Sequence, residues 1–170
     1  MKKIVFIIFL IFLFTVSCKK EKTSEEIEQD KLLELVNDVR KKGCMCGNTN
    51  MPAVDPLTWN DLLATAAQNH SNDMSDNDFF SHTGSDGKSP SDRIDKTGYK
   101  YSTWGENIYM EGGMGNSTSS AENAFNAWLK SEGHCKNIMN GSFTEMGAAK
   151  TYNQDRNSTY WTQVFGKPKQ

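Results

Sequence analysis

The stretch WLKSEGHCKNIMN, Trp128 to Asn140, holds a glutamate, a histidine and a cysteine within four positions. It completes an amphipathic pattern that starts after Ser119 or Ser120, and the pattern predicts a helix that ends at Gly133. The polar residues after the helix fit three roles: part of an active site, a disulfide anchor, or a helix terminus at the surface. Each role requires different partners elsewhere in the chain, so the surrounding sequence has to decide among them.

Two longer helices are predicted upstream. The segment Thr23 to Glu26 has the form of a capping box, and the helix it opens should end at 41–43. Thr58, with Asp61 as its reciprocal partner, is predicted to cap a second helix. That second helix carries His70 on its apolar stripe, where a hydrogen-bonded core histidine is expected. A short helix is expected over 90–96.

The strand signals come late in the chain. Residues 104–110 are a candidate strand, and two alternating, β-rich runs over 146–152 and 160–165 are separated by the polar loop NQDRNST. These two runs predict an antiparallel hairpin. Helices early and strands late indicate an α+β sandwich rather than a parallel sheet.

The N-terminus predicts export. A short basic start and eleven apolar residues over 4–14 resemble a signal peptide and are too short to span a membrane. Ser17-Cys18 resembles a bacterial lipobox, although Thr15 departs from its aliphatic preference. We expect a signal peptide over 1–17, a lipidated Cys18 with a polar tether over 18–26, and one domain over 27–166. The expected location is the bacterial cell envelope, with a soluble secreted protein as the alternative.

The charge balance argues against nucleic acid as a partner. Removal of 1–17 takes two lysines and no acid, which changes the net charge from −2 to −4. The remaining surface is mixed and mildly acidic, without a basic stripe. The expected partners are therefore the membrane, through the lipid anchor, and an unknown small-molecule, lipid or peptide ligand.

Three cysteines remain beyond the lipobox, and an odd number outside the cytoplasm suggests one disulfide and one spare thiol. Cys44 and Cys46 are too close for an easy bridge to each other, so Cys135 is expected to pair with one of them. Such a bond closes a long loop and contributes about 3–4 kcal/mol in the chain-entropy model. A three-thiolate zinc site is the competing interpretation, but it lacks the usual C-x-x-C pairs.

Two histidines and two acids are candidates for chemistry. His82 and His134 lie outside the apolar helix faces, so a core role explains them poorly. Glu106 is an acid inside a segment otherwise suited to burial, and a buried charge needs partners that two imidazoles could supply. Glu132, close to His134, is the second acid.

Several motifs in order resemble the bacterial branch of the CAP superfamily, which takes in cysteine-rich secretory proteins, antigen 5 and pathogenesis-related 1 proteins. They are FFSHT (79–83), GENI (105–108), W-x-x-S-x-GH followed by NIM (128–139), MGAA (146–149) and YWTQVFG (160–166). The resemblance extends from the first helix to Phe165. It implies a three-layer α-β-α sandwich with a central antiparallel sheet.

The resemblance also implies a cleft with two histidines and two acids. His82, Glu106 and His134 match its first three members, whereas Glu132 is offset by one position from the family's second acid and is alternatively a helix-terminal surface charge. Such a cleft could hold a divalent metal such as zinc. The resemblance also implies that the cleft binds a lipid, a peptide or an envelope ligand. We therefore expect a binding protein. The alternative is a metal-assisted, peptidase-like hydrolase that uses the same residues.

Overall fold

The computed structural model describes residues 21–113 and 119–170, so the predicted signal peptide and Cys18 lie outside the described residues. Within the described ranges, no helix is long and apolar enough to cross a membrane. The described helices are α1 (Ser24–Lys42), α2 (Asp61–Asn77), α3 (Pro90–Thr97), α4 (Ala121–Lys130) and α5 (Glu132–Ile138). The described strands are β1 (Cys44–Cys46), β2 (Thr49–Met51), β3 (Thr58–Trp59), β4 (Tyr101–Gly112), β5 (Glu145–Asn153) and β6 (Ser158–Pro168).

A four-stranded sheet lies between two layers of helices. Its strand order is β3-β5-β6-β4, and the pairing is antiparallel except for the two-residue parallel contact between β3 and β5. Alternate side chains of β6 point to opposite faces. Trp161 and Phe165 pack with α1, α4 and α5, whereas Val164 packs with α2 and α3. The predicted α+β class and its α-β-α layers are confirmed.

The predicted C-terminal hairpin is also confirmed, and both strands extend beyond their predicted ends. β5 and β6 pair in register from Glu145 opposite Gly166 to Asn153 opposite Ser158. Helix α2 lies very close to β5: a Cβ added at Gly147 would be only 2.1 Å from the backbone nitrogen of Ala64. Glycine at this position therefore allows the helix to pack directly on the sheet.

The predicted start of the second helix was wrong. Asn60, not Thr58, is the N-cap, and its Oδ1 accepts hydrogen bonds from the backbone amides of Leu62 and Leu63. Thr58 instead begins β3 and pairs with β5. Tertiary pairing overrides the local capping signal here, because the extended backbone gains ladder hydrogen bonds to Thr144 and Met146.

The predicted end of the helix in the stretch 128–140 was wrong as well. α4 stops at Lys130, and Ser131 has an extended backbone with φ −89° and ψ 119°. The chain then starts a separate helix, α5, so Gly133 and His134 lie inside a helix instead of beyond one. This break redirects the chain, so that Cys135 reaches the β1–β2 hairpin.

Arg40, near the end of α1, is a fully buried arginine that hydrogen-bonds to four backbone carbonyls. Its guanidinium donates to the carbonyl oxygens of Asp55, Ile138, Asn140 and Phe143, at 2.7 to 3.3 Å. Two of these carbonyls belong to the end of α5 and the turn after it. Burial lowers the pKa of Arg40 to about 10, so the group stays charged at neutral pH. Arg40 thereby fixes α5 to α1.

We predict that Arg40→Met destabilises the protein because it leaves buried carbonyls without donors. The free energy of unfolding should fall by about 2–4 kcal/mol, measured by urea denaturation. Lys41→Met, at the exposed neighbouring position, is the matched control and should change it by less than about 0.5 kcal/mol. Equal stability of the two variants would contradict the role assigned to Arg40.

Candidate functional site

The centre of the candidate site is Glu106, a carboxylate in the middle of β4. Its side chain is 2% exposed, and a charge so far from water requires partners. One oxygen, Oε1, lies 2.8 Å from Nδ1 of His82. The other, Oε2, accepts a hydrogen bond from Nη2 of Arg93 at 2.8 Å. The structure therefore places two of the predicted site residues in direct contact, and both carboxylate oxygens are occupied.

His82 lies on the segment before α3, and two side chains hold this segment by its backbone. Arg93 donates to the carbonyl oxygen of His82 at 2.9 Å. His70 lies 2.8 Å from the carbonyl oxygen of Ser81, and since a carbonyl only accepts, Nε2 of His70 carries a proton. Burial lowers the pKa of His70, which favours the neutral imidazole. The predicted hydrogen-bonded core role of His70 is confirmed.

His134 lies on α5, and asparagines hold this helix against β4. Asn107 donates to the carbonyl oxygen of His134 at 3.2 Å. Asn137, almost one helical turn further on, donates to the carbonyl oxygen of Glu106 and to Oδ1 of Asn107. Burial lowers the pKa of His134, and the electrostatic effect of His82 lowers it further.

Glu132 lies at the start of α5 and contacts other partners. Its carboxylate accepts from Nζ of Lys136 at 2.6 Å and from Oγ1 of Thr49 at 3.4 Å. The side chain is 52% exposed and lies next to Gly47 in the β1–β2 hairpin. These contacts direct Glu132 towards the hairpin, and its membership in the cleft stays a prediction.

The geometry suits an orienting role for Glu106. A carboxylate that accepts from Nδ1–H of a histidine fixes the ring and its tautomer, and it leaves Nε2 free to bind or to exchange a proton. In His82, Nδ1 contacts Glu106 and the side chain is 49% exposed. Nε2 is therefore the nitrogen that is available. His134, whose lowered pKa favours the neutral form, is the second available imidazole. Metal binding by these residues stays a prediction.

The predicted disulfide is confirmed and joins Cys46 to Cys135, which leaves Cys44 as a free thiol. Among the described residues, these cysteines form the one group of three or more metal-binding side chains whose ligand atoms all lie within 4.8 Å of one another. Such a group could hold a metal as three thiolates. The disulfide does not fit this role, because two of the sulfurs are covalently joined.

Sequence reasoning missed Arg93, Asn107 and Asn137. It assigned two imidazoles to the buried charge of Glu106, whereas the structure provides one imidazole and one guanidinium. A usable signal existed for Arg93, because it is a basic residue within the short predicted helix 90–96, shortly after the His82 segment. No comparable signal marked Asn137, whose role depends on the separate helix α5.

A polar cavity of about 250 Å³ adjoins the site between α2 and α3. Charged side chains form most of its lining, including Asp73, Asp86, Lys88 and Lys96. Arg93 belongs to both this cavity and the Glu106 contact. Arg93 thus links the contact with Glu106 to a space suited to a polar or charged group.

The α-β-α sandwich, together with a histidine supported by a buried glutamate, is what the cysteine-rich secretory class of proteins leads one to expect. The family model for the "Cysteine-rich secretory protein family" (CAP) matches residues 33–165. The chain belongs to this family.

The chain is similar to several bacterial proteins. The uncharacterized protein YkwD of Bacillus subtilis is 34% identical over 137 residues, which cover 81% of this chain and 46% of YkwD. An extracellular SCP-domain protein from Bacillus anthracis is 29% identical, with a TM-score of 0.67, and the match covers 84% of this chain and 41% of that one. An outer surface protein of Borrelia burgdorferi has 22% identity, a TM-score of 0.69, and coverage of 85% of this chain and 95% of its own. The chain thus spans about half the length of YkwD.

We predict that Arg93→Met is strongly destabilising, because it leaves Glu106 buried without its cation. The expected loss is about 3–5 kcal/mol of unfolding free energy by urea denaturation. The double variant Arg93→Met/Glu106→Gln should recover part of this loss, since the uncompensated charge is gone. Lys96→Met, an exposed change on the same helix, is the matched control. No recovery in the double variant would show that the ion pair is not the cause.

We predict that His134 titrates below the ordinary histidine pKa in metal-free protein. In His82→Gln the pKa of His134 should rise, because the like charge is removed, but it should remain below the ordinary value because burial is the larger cause. The measurement is an NMR pH titration of the histidine ring protons. An unchanged pKa of His134 in His82→Gln would contradict the expected electrostatic effect of His82, and the change Arg156→Gln, in the turn between β5 and β6, serves as the control.

Proposed function

We propose that this chain is an extracytoplasmic CAP-domain protein whose His82–His134 cleft binds a ligand instead of turning it over. The observation that carries the proposal is the His82–Glu106–Arg93 contact, which engages Nδ1 of one imidazole while the His82 side chain is half exposed. The charged cavity beside Arg93 favours a ligand with polar or charged groups, such as a peptide or an envelope component.

A divalent transition metal such as zinc is the proposed cofactor. Nε2 of His82 and the ring of His134 are the proposed nitrogen ligands, and neutral imidazoles suit zinc. Glu106 would orient His82, because its Oε1 lies 2.8 Å from Nδ1 of that histidine. When bound, the metal would supply a positively charged centre that polarises an oxygen of the ligand.

A metal-assisted hydrolase is the second candidate, and the same contact favours it. A histidine whose Nδ1–H donates to a buried carboxylate is oriented to accept or donate a proton through Nε2. The buried Glu106 provides this support at 2.8 Å. A peptide substrate would then occupy the site proposed for a bound ligand.

Attachment of the mature chain to the cell envelope through Cys18 is part of the proposal. The lipobox-like segment supports it, although it lies outside the described residues. The extracellular B. anthracis protein supports export. Mass spectrometry of the mature N-terminus would test lipidation directly.

We predict that purified protein, stripped of metal with a chelator, binds Zn²⁺ in calorimetry and that His82→Ala and His134→Ala each weaken binding at least about tenfold. Glu106→Gln should weaken binding about 10–100-fold, as loss of an orienting carboxylate does. Glu132→Gln, on the same helix as His134, tests whether Glu132 is itself a ligand. The affinity for Zn²⁺ should stay unchanged if His82 and His134 are the ligands. Unaltered binding in both histidine variants would refute the metal site.

An activity screen separates the two candidate functions. Casein and peptidoglycan are incubated with the protein, with and without chelator, and with Glu106→Ala beside the wild type. Turnover that chelator and Glu106→Ala both abolish would establish the hydrolase and overturn the binding proposal. Zinc binding without turnover would support binding.

A further inference from the structure

Three cysteine sulfurs meet where β1 faces α5. Sγ of Cys44 lies 3.8 Å from Sγ of Cys135 and 3.9 Å from Sγ of Cys46. Cys44 and Cys46 point to the same side of β1 because side chains alternate along a strand. Met45, between them, is 56% exposed. The strand therefore presents a free thiol and a bonded sulfur side by side.

We propose that these cysteines form a thiol–disulfide exchange site in which Cys44 moves the disulfide from Cys46–Cys135 to Cys44–Cys135. The Cys44 thiolate, its proton lost to water, attacks Sγ of Cys135 and forms the new sulfur–sulfur bond. The Cys46–Cys135 bond breaks, and its electron pair leaves on Sγ of Cys46, which takes up a proton. The exchange is an isomerisation, so it needs no external oxidant or reductant.

Cys135 is the sulfur that accepts the attack. Attack on Cys46 would instead join two cysteines of one strand, whose Cα atoms stand about 6.6–6.8 Å apart in extended backbone, at the upper limit for a disulfide. The Cys44–Cys135 bond keeps the connection between β1 and α5.

The exchange requires a local movement. The two distances from Cys44 are nearly equal, so its sulfur lies beside the disulfide and not on the extension of the bond. A rotation of the Cys44 side chain or a shift of the short β1–β2 hairpin brings it in line. The hairpin is three residues long on each side, and Cys44 itself is only partly buried.

The second isomer would shift the attachment point of α5 along β1 by two residues. α5 carries His134 in the position directly before Cys135. Exchange would therefore attach α5 to β1 at either of two positions, Cys46 or Cys44. A disulfide is present in both isomers. The exchange needs neither the proposed metal nor the proposed ligand.

Peptide mapping tests the exchange on the purified full chain. The protein is incubated without reductant at pH 8, quenched in acid, alkylated under mildly acidic denaturing conditions and digested at acid pH. We expect two species at a constant ratio, one with Cys46–Cys135 and alkylated Cys44, the other with Cys44–Cys135 and alkylated Cys46. Cys18 lies in a separate peptide and is scored separately. A single Cys46–Cys135 species after prolonged incubation would overturn the proposal.

Two variants provide the matched controls. Cys44→Ser should give one isomer only and lose alkylation within 44–135. Cys46→Ser should form the Cys44–Cys135 disulfide on oxidation, since the two sulfurs are already 3.8 Å apart. If Cys46→Ser folds but remains a dithiol, the proposed product is not accessible and the proposal fails. If it does not fold, the wild-type mapping decides.

Discussion

The buried carboxylate of Glu106 is the constraint on which the site depends. It lies in β4, at the edge of the four-stranded sheet, with 2% of its side chain exposed. Desolvation of a charge is costly unless opposite charge and hydrogen bonds offset it, so the surrounding elements have to supply both. α3 supplies Arg93, and the segment before it supplies His82. Arg93 also binds the His82 carbonyl, so one guanidinium fixes both the acid and the backbone of its partner.

The other half of the cleft depends on how α5 is held. Arg40 reaches the carbonyls of Ile138 and Asn140 from α1, and the disulfide joins Cys135 to Cys46 in the hairpin. Asn137 adds hydrogen bonds to β4, next to Glu106. A seven-residue helix has little intrinsic stability in water, so these tertiary connections determine its place. The position of His134 thus depends on contacts that hold the whole of helix α5. The position of His82 depends on its direct contacts with Glu106 and Arg93.

This difference explains what could be predicted from the sequence. The α1 capping box, the β5–β6 hairpin and the α+β class follow from local patterns, and the family resemblance implies the α-β-α layers; all are confirmed. The contact of His82 with Glu106 fits the family motifs. The helix break at Ser131 and the displaced cap at Asn60 could not be read locally, because sheet pairing and the tethers of α5 decide them. Arg93 was missed although it lies in a predicted helix shortly after His82, because its contact with Glu106 joins α3 to β4 and depends on the tertiary packing of the two elements.

The contacts of Glu106 also bear on the kind of chemistry that the cleft supports. With one oxygen on His82 and the other on Arg93, Glu106 is held in place by two partners, and any new bond to Glu106 has to be compatible with both contacts. Losing either partner would leave a buried charge less compensated, which costs free energy. The side chains that can change partners at low cost are therefore the imidazoles, of which His82 is half exposed. A buried acid behind a half-exposed imidazole is a preorganised arrangement, and it makes His82 the proposed point of first contact for a ligand.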